Sequence, residues 1–511
     1  MNRNNPVFPF LFSAAICIVL FFSLSSCDTG SKGRYKFQAE SLHWLQFRGP
    51  NASGIAPENA DPPVHFSADT NLLWRTEMMP GWSSPCIVND KIFLTGFNDS
   101  DSLLYTVAID REKGEVLWRD SVAPQEYYDL HPVNTYANPT VASNGEQIFT
   151  HFPGYGLVAY DLDGKRSWEF KHRPITGRMG GASSPVIVDG MVIINVYTRK
   201  DPRIQALDCE TGDTLWAIRD PNLKWNSRGC KASPVISDDL IIIHREMEIE
   251  AYNISDQNTK WWINTPTTGV ATPVIHDDVL YVSTWVNLGE KNLQASGLDF
   301  ENFLTKFDSN RNRRIEKGEA PDSFMIANRP ESLNAASSSI SFNMLYSGFD
   351  GNKDGAMDAE EWNAYLEMAG PYTENHGMLA ITVTGANERP YSDVLWKINE
   401  DSPETPSPLV VGEYVFFIKS GGIITVVNRE TGDVLKKGRI GAAGTYISSP
   451  MLAANKIYTC AYNGTVSVLS ADDFSVLAYN KLKEKIGASP VAVDDVLYVR
   501  TDKYLYAFRD Q

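Results

Sequence analysis

One short phrase returns eight times along this chain, and its period constrains the fold more than any other feature. It runs as a small residue, a proline, a few apolar residues, an acidic or Asn-bearing turn and a second apolar stretch. The copies open at Ser84-Pro85-Cys86-Ile87-Val88, Asn138-Pro139-Thr140-Val141, Ser184-Pro185-Val186-Ile187-Val188 and Ser233-Pro234-Val235-Ile236. They continue at Thr272-Pro273-Val274-Ile275, Ser407-Pro408-Leu409-Val410-Val411, Ser449-Pro450-Met451-Leu452 and Ser489-Pro490-Val491-Ala492-Val493. Proline is tolerated at the first residue of a strand, where no ladder hydrogen bond has to be donated. A fixed period of this kind marks a repeat architecture.

A second phrase answers the first. In Ala206-Leu207-Asp208-Cys209-Glu210-Thr211-Gly212-Asp213-Thr214-Leu215-Trp216 a strand meets a tight Gly turn and a strand ending in Trp. The same offset joins Ala108 to Trp118 and Ala251 to Trp261. Ala159 to Trp168 is one residue shorter, Ala380 to Trp396 has a longer turn, and Val426–Lys436 and Val468–Ala478 keep the spacing without the Trp. Short strands joined by a Gly turn are hairpins, and two hairpins make a four-stranded blade. A blade cannot bury both faces alone, so blades must stack around a ring. The eighth copy ends at Tyr504-Leu505-Tyr506-Ala507-Phe508 without a closing strand, while Leu72-Leu73-Trp74 stands unpaired at the start. The expectation is an all-β, eight-bladed β-propeller in which the N-terminal strand completes the last blade and removes two open sheet edges.

The Ala-x-Asp-x-x-Thr-Gly-x-x-x-Trp phrase resembles the repeat of the pyrroloquinoline-quinone (PQQ)-like propellers. That superfamily holds quinoprotein alcohol dehydrogenases and the propeller lipoprotein of the outer-membrane barrel-assembly machinery. The resemblance covers Trp74 to Phe508 apart from one insertion, and it implies that the Trp residues dock neighbouring blades. Trp44-Leu45-Gln46-Phe47-Arg48-Gly49-Pro50 with Gly54 is similar to the leader of many exported members, and reads as a loop packed under the propeller, Arg48 included.

Successive repeat prolines lie about 40 to 54 residues apart, but Pro273 and Pro408 are 135 apart. Residues 285–377 therefore form an excursion from blade five, flanked by propeller segments 41–284 and 378–511. Within it, Asp350-Gly351-Asn352-Lys353-Asp354-Gly355-Ala356-Met357-Asp358-Ala359-Glu360-Glu361 matches the EF-hand spacing at every position. Asp350, Asn352 and Asp354 would supply side-chain oxygens, Ala356 its carbonyl, Asp358 a water-mediated contact and Glu361 a bidentate carboxylate to calcium. A partner loop runs from Asp308 to Glu319: Asp308, Asn310, Asn312 and Glu319 fit, with the Arg314 carbonyl and Glu316 between them. It departs where Gly belongs, so Arg313 must adopt a left-handed backbone at about 1 kcal/mol. Three arginines weaken the field there. Phe303 and Phe307 before one loop, and Phe349 and Trp362 around the other, predict an α-helical EF-hand pair.

The N-terminus sets the compartment. Asn2-Arg3-Asn4, the apolar run Phe8–Leu24 and Leu24-Ser25-Ser26-Cys27 read as a secretory signal over 1–26, with a lipobox that would acylate Cys27. Residues 27–40 read as a tether. The chain is expected in the cell envelope, lipid-anchored to a membrane and facing periplasm or exterior, meeting the membrane through that anchor only. No second apolar run reaches spanning length. A net charge of −17 disfavours nucleic acid. Cys86, Cys209, Cys230 and Cys460 follow no disulfide spacing and read as buried free thiols.

Two functions follow. The favoured one is a binding scaffold that receives a protein or extended ligand at a propeller rim, where Tyr127-Tyr128-Asp129-Leu130-His131 and Trp225-Asn226-Ser227-Arg228 lie on long connections. The alternative is a PQQ-dependent or other quinoprotein-like dehydrogenase. The enzymes of the resembling superfamily carry adjacent cysteines against the quinone, and this chain has none; nor has it Cys-x-x-Cys-His. PQQ is therefore not expected, and no residue is assigned a catalytic role. Gly154-x-Gly156-x-x-Ala159 mimics a dinucleotide fingerprint but falls on a repeat hairpin. His131, His151, His172 and His244 read as structural or surface histidines.

Overall fold

The seven hairpin offsets become seven cross-strand pairs, five of them Ala–Trp. In the computed structural model, Ala108 faces Trp118, Ala159 faces Trp168, Ala206 faces Trp216, Ala251 faces Trp261 and Ala380 faces Trp396. Val426 faces Lys436 and Val468 faces Ala478, and the ladder slips by one residue beside each pair. Such a bulge increases local twist, as an outer blade strand requires. The structure describes residues 43–198, 201–219, 230–265, 267–285, 300–327, 340–374, 376–383 and 394–511. The signal and tether with Cys27, and the connection Trp225 to Arg228, lie outside the described residues.

The sheets are eight four-stranded antiparallel blades, the first gaining a fifth strand, His43–Trp44. The eighth consists of Val491–Val493, Val496–Arg500, Tyr504–Phe508 and Leu72–Glu77, with Trp74 facing Ala507. The N-terminal strand thus closes the ring, as the unpaired chain ends predict.

In seven of the eight blades the small residue ahead of the first strand has a specific task. Its N–H has no ladder partner, and it donates to the hydroxyl of the equivalent residue in the next blade. Ser84 donates to Thr140, Thr140 to Ser184, Ser184 to Ser233 and Ser233 to Thr272, at 2.9–3.0 Å. Ser407 donates to Ser449, Ser449 to Ser489, and Ser489 back to Ser84, at 2.9–3.1 Å. In blade two the residue in this ring is Thr140, two positions beyond the Asn138 that the sequence phrase aligns. Ala142 pairs with Phe149 there as Cys86 pairs with Phe93 in blade one, so Val141 stands where the other blades place proline.

The tryptophans join blades at the opposite, outer edge. Indole Nε1–H groups of Trp74, Trp118, Trp168 and Trp396 donate to Arg111, Leu162, Cys209 and Arg429 carbonyls of the next blade at 2.8–3.1 Å. Each ring covers the turn glycine there: a Cβ on Gly114, Gly164, Gly212 or Gly432 would come within 2.5–2.7 Å of it. Blade six lacks Trp, and the next turn lacks Gly. Lys436 Nζ instead donates to the Asp473 and Phe474 carbonyls, with Phe474 in the left-handed conformation a turn glycine would take.

The leader crosses from blade to blade. Ser143 N–H donates to the Leu45 carbonyl, Asn51 exchanges two bonds with Ile236, and Ile55 bridges Leu452. Arg48 is buried, its Nη2 donating to the Ser53 and Pro408 carbonyls. Leader contacts therefore reach the opening strands of blades two, four and seven, and the proline of blade six.

The excursion leaves and re-enters blade five at one cross-strand pair, Thr284 opposite Gly377. Its described residues carry three helices, α1 (Phe300–Phe307), α2 (Phe342–Phe349) and α3 (Ala359–Glu374). Phe303, Phe307, Phe342, Phe349 and Trp362 form its core with Ile315 and Met357. This cluster shares no member with the propeller clusters.

Candidate calcium-binding site

The two acidic loops of the excursion fold with the same bonds at the same positions. The first aspartate of each accepts the sixth N–H: Asp308 Oδ2 from Arg313 at 2.9 Å, Asp350 Oδ2 from Gly355 at 3.0 Å. The twelfth residue folds back over the loop start. Glu319 Oε1 accepts from Ser309 N–H and Glu361 Oε1 from Gly351 N–H, at 3.0 and 2.9 Å. Their Oε2 atoms accept from Glu316 and Asp358 N–H, at 3.0 and 3.1 Å. Asn310, Asn312, Asn352 and Asp354 each accept the N–H two residues ahead, which curls the chain inward. Arg313 has φ 62°, the strained geometry expected where Gly355 has 91°.

A two-residue ribbon clasps the loops: Ile315 faces Met357 and Glu316 faces Ala356. Tyr346 on α2 places its hydroxyl 2.9 Å from the Ile315 carbonyl and 2.8 Å from the Gly355 carbonyl. Nothing in the loop spacing pointed to Tyr346, since its contacts are fixed by helix packing.

The loops differ in what their carboxylates hold. In the first, Glu316 accepts both amide groups, from Asn310 Nδ2 at 2.9 Å and Asn312 Nδ2 at 2.5 Å. In the second, Asp358 Oδ1 caps α3 by accepting from Glu360 and Glu361 N–H at 3.0 Å. Asp350 Oδ1 is buried and accepts no hydrogen bond from the protein, which suits a cation ligand. Among the described residues no three His, Cys, Asp or Glu side chains are gathered as a finished cage.

Elsewhere, buried polar side chains of five blades reach the next blade. At one register of the second strand, Thr95 lies 3.4 Å from the Ala137 and Pro139 carbonyls, and His151 3.3 Å from Ser183 O. At the same register His244 lies 2.7 Å from Ala271 O, Ser283 2.6 Å from Pro403 O and Arg500 2.9 Å from Ser83 O. These carbonyls lie in the segment entering the next blade, and Arg500 also donates to the Thr95 carbonyl on the second strand of that blade, at 2.6 Å. Burial lowers the His151 pKa to about 3 and the His244 pKa to about 4, so both rings stay neutral. His172, lowered by burial to about 4, meets His151 Nε2 to Nε2 at 2.9 Å. His131 is a loop residue whose Nδ1 accepts the Val133 N–H. Cys86, Cys209, Cys230 and Cys460 are separate buried thiols, each with its pKa raised by burial. At the rim, Tyr127 is exposed and bonds the Ser102 carbonyl, while Tyr128 bonds Ile175 O.

Comparison with known proteins agrees with this architecture. BamB from Moraxella catarrhalis is 12% identical, with a TM-score of 0.51 over 86% of this chain and 98% of that one. A europium-containing methanol dehydrogenase is 12% identical, with a TM-score of 0.53 over 91% and 90%. The quinohemoprotein alcohol dehydrogenase ADHIIG from Pseudomonas putida HK5 is 13% identical, with a TM-score of 0.52 over 92% and 80%. At these identities the likeness shows the fold alone. No curated protein matches the sequence. The model of the family described as outer membrane protein assembly factor BamB matches residues 64–295 and 378–511, skipping most of the excursion. The chain is a PQQ-like β-propeller and belongs to that family.

Proposed function

We propose that this protein is a lipid-anchored binding scaffold of the cell envelope whose inserted EF-hand pair takes up calcium. One observation carries the scaffold reading: polar side chains at the equivalent register of five blades are each bonded to the segment entering the next blade. They hold the ring together instead of converging on a substrate. A closed ring of that kind presents loops at its rims for a protein or an extended ligand. Membership of a family described as an outer membrane assembly factor supports an envelope location. Nucleic acid is opposed by the net charge of −17.

For calcium, the supporting geometry is the matched folding of the two loops and the buried, unpartnered Asp350 Oδ1. Asp350, Asn352, Asp354, the Ala356 carbonyl and Glu361 would hold the stronger site, with Asp358 reaching through water. Asp308, Asn310, Asn312, the Arg314 carbonyl, Glu316 and Glu319 would hold the weaker. Calcium there would order an excursion that has its own small core. The quinoprotein-dehydrogenase alternative has only the fold likeness behind it. Purified protein given PQQ and calcium should neither retain the quinone nor oxidise alcohols with an artificial acceptor. Stoichiometric quinone absorbance together with turnover would overturn the scaffold reading.

A further inference from the structure

Arg314 contributes to both loops. Its backbone carbonyl stands at the seventh position of the first loop, while its side chain crosses to the second. Arg314 Nη2 lies 2.7 and 2.6 Å from the two carboxylate oxygens of Asp354, and 2.7 Å from the Ala356 carbonyl oxygen. Asp354 and Ala356 are the fifth- and seventh-position ligands of the second loop. The reach is fixed by the ribbon, because the adjacent Ile315 is locked opposite Met357. Neighbouring Arg313 turns away and pairs with Glu301 on α1.

We propose that Arg314 is a tethered cation that competes with calcium for the second loop. This rests on the calcium reading above. Calcium needs the same oxygens at 2.3–2.6 Å, and a guanidinium hydrogen-bonded to them cannot share them with a divalent ion. The guanidinium neutralises Asp354, whose pKa it holds below the usual carboxylate range, and lies in the field of Asp358 and Glu361. Without calcium it relieves the repulsion among the loop carboxylates; calcium must displace it. The arrangement therefore weakens the site while keeping the metal-free excursion folded. A purely structural Arg314 would instead support the loop in both states.

The test uses the full-length protein with Arg314→Gln and Arg314→Lys, since both keep the backbone carbonyl of the first loop. Calcium calorimetry is paired with thermal unfolding of the excursion in chelator and in calcium. Arg314→Gln should tighten the phase that Glu361→Gln abolishes by about three- to tenfold. It should also lower the unfolding temperature in chelator and enlarge the rise that calcium produces. Arg314→Lys, a point charge without the guanidinium fork, should fall between. If wild type binds calcium and Arg314→Gln binds it equally or more weakly, the competition is overturned and the calcium reading stands. If neither wild type nor Arg314→Gln binds calcium, both are overturned.

Discussion

The Trp74 indole lies across Gly114, where a Cβ would come within 2.5 Å of the ring, while its Nε1–H donates to the Arg111 carbonyl 3.1 Å away. The strand that closes the ring is thereby fastened to blade one through a residue with no side chain. Gly114 has φ +74° and Gly190 +70°, but a Cβ on Gly190 meets nothing within 4 Å. Gly190→Ala should therefore cost only the backbone strain, about 1 kcal/mol. Gly114→Ala must also displace the indole and should cost about 1–3 kcal/mol more. Chemical unfolding of the two variants checks this; equal losses would mean that the Trp–Gly contact does not hold the blades.

How much of this was legible follows from the range of each interaction. The Ala–Trp offset is local, and it carried the blades and the closure by Leu72-Leu73-Trp74, but not the one-residue bulge beside each pair. The hydroxyl ring joins neighbouring blades, so its members were visible as a repeat but their partnership was not. The blade-two copy was aligned on Pro139, although its functional residue is Thr140. The leader bonds of Asn51 to Ile236 span 185 positions and leave no periodic trace. In the excursion, spacing gave the bounds of the two loops and the strained Arg313. It could not give the Arg314 side chain or Tyr346, because both contacts depend on the pairing of two loops.

Neutral buried histidines predict acid sensitivity. Burial lowers the pKa of His151 to about 3, and of His172, His244 and His376 to about 4, from an ordinary 6.5. The unfolded chain binds these protons first, so stability is retained above about pH 6.5 and lost as pH falls toward 4. Each such histidine adds a slope of at most about 1.4 kcal/mol per pH unit. His244→Asn should reduce the slope of unfolding free energy between pH 6.5 and 5. An unchanged slope would mean that His244 is not held neutral.

The mature chain should begin at Cys27 with acyl chains attached, since the lipobox reading depends on that thiol. Mass spectrometry of the purified N-terminus decides it; an unmodified Cys27, or cleavage elsewhere, contradicts the anchor.

The central claim is that the excursion binds calcium and that its second loop dominates. That loop offers Asp350, Asp354, Asp358 and Glu361 and keeps Gly355, whereas the first offers Asp308, Glu316 and Glu319 beside arginines. Even weak sites of about 10⁻⁴ to 10⁻³ M would be occupied outside the cytoplasm. The most direct measurement is calcium calorimetry of the whole protein with Glu361→Gln and Glu319→Gln. Glu361→Gln should abolish the tighter phase while the blades stay folded, and Glu319→Gln should leave that phase in place. No calcium uptake by wild type, or loss of the tighter phase in Glu319→Gln alone, would contradict the account.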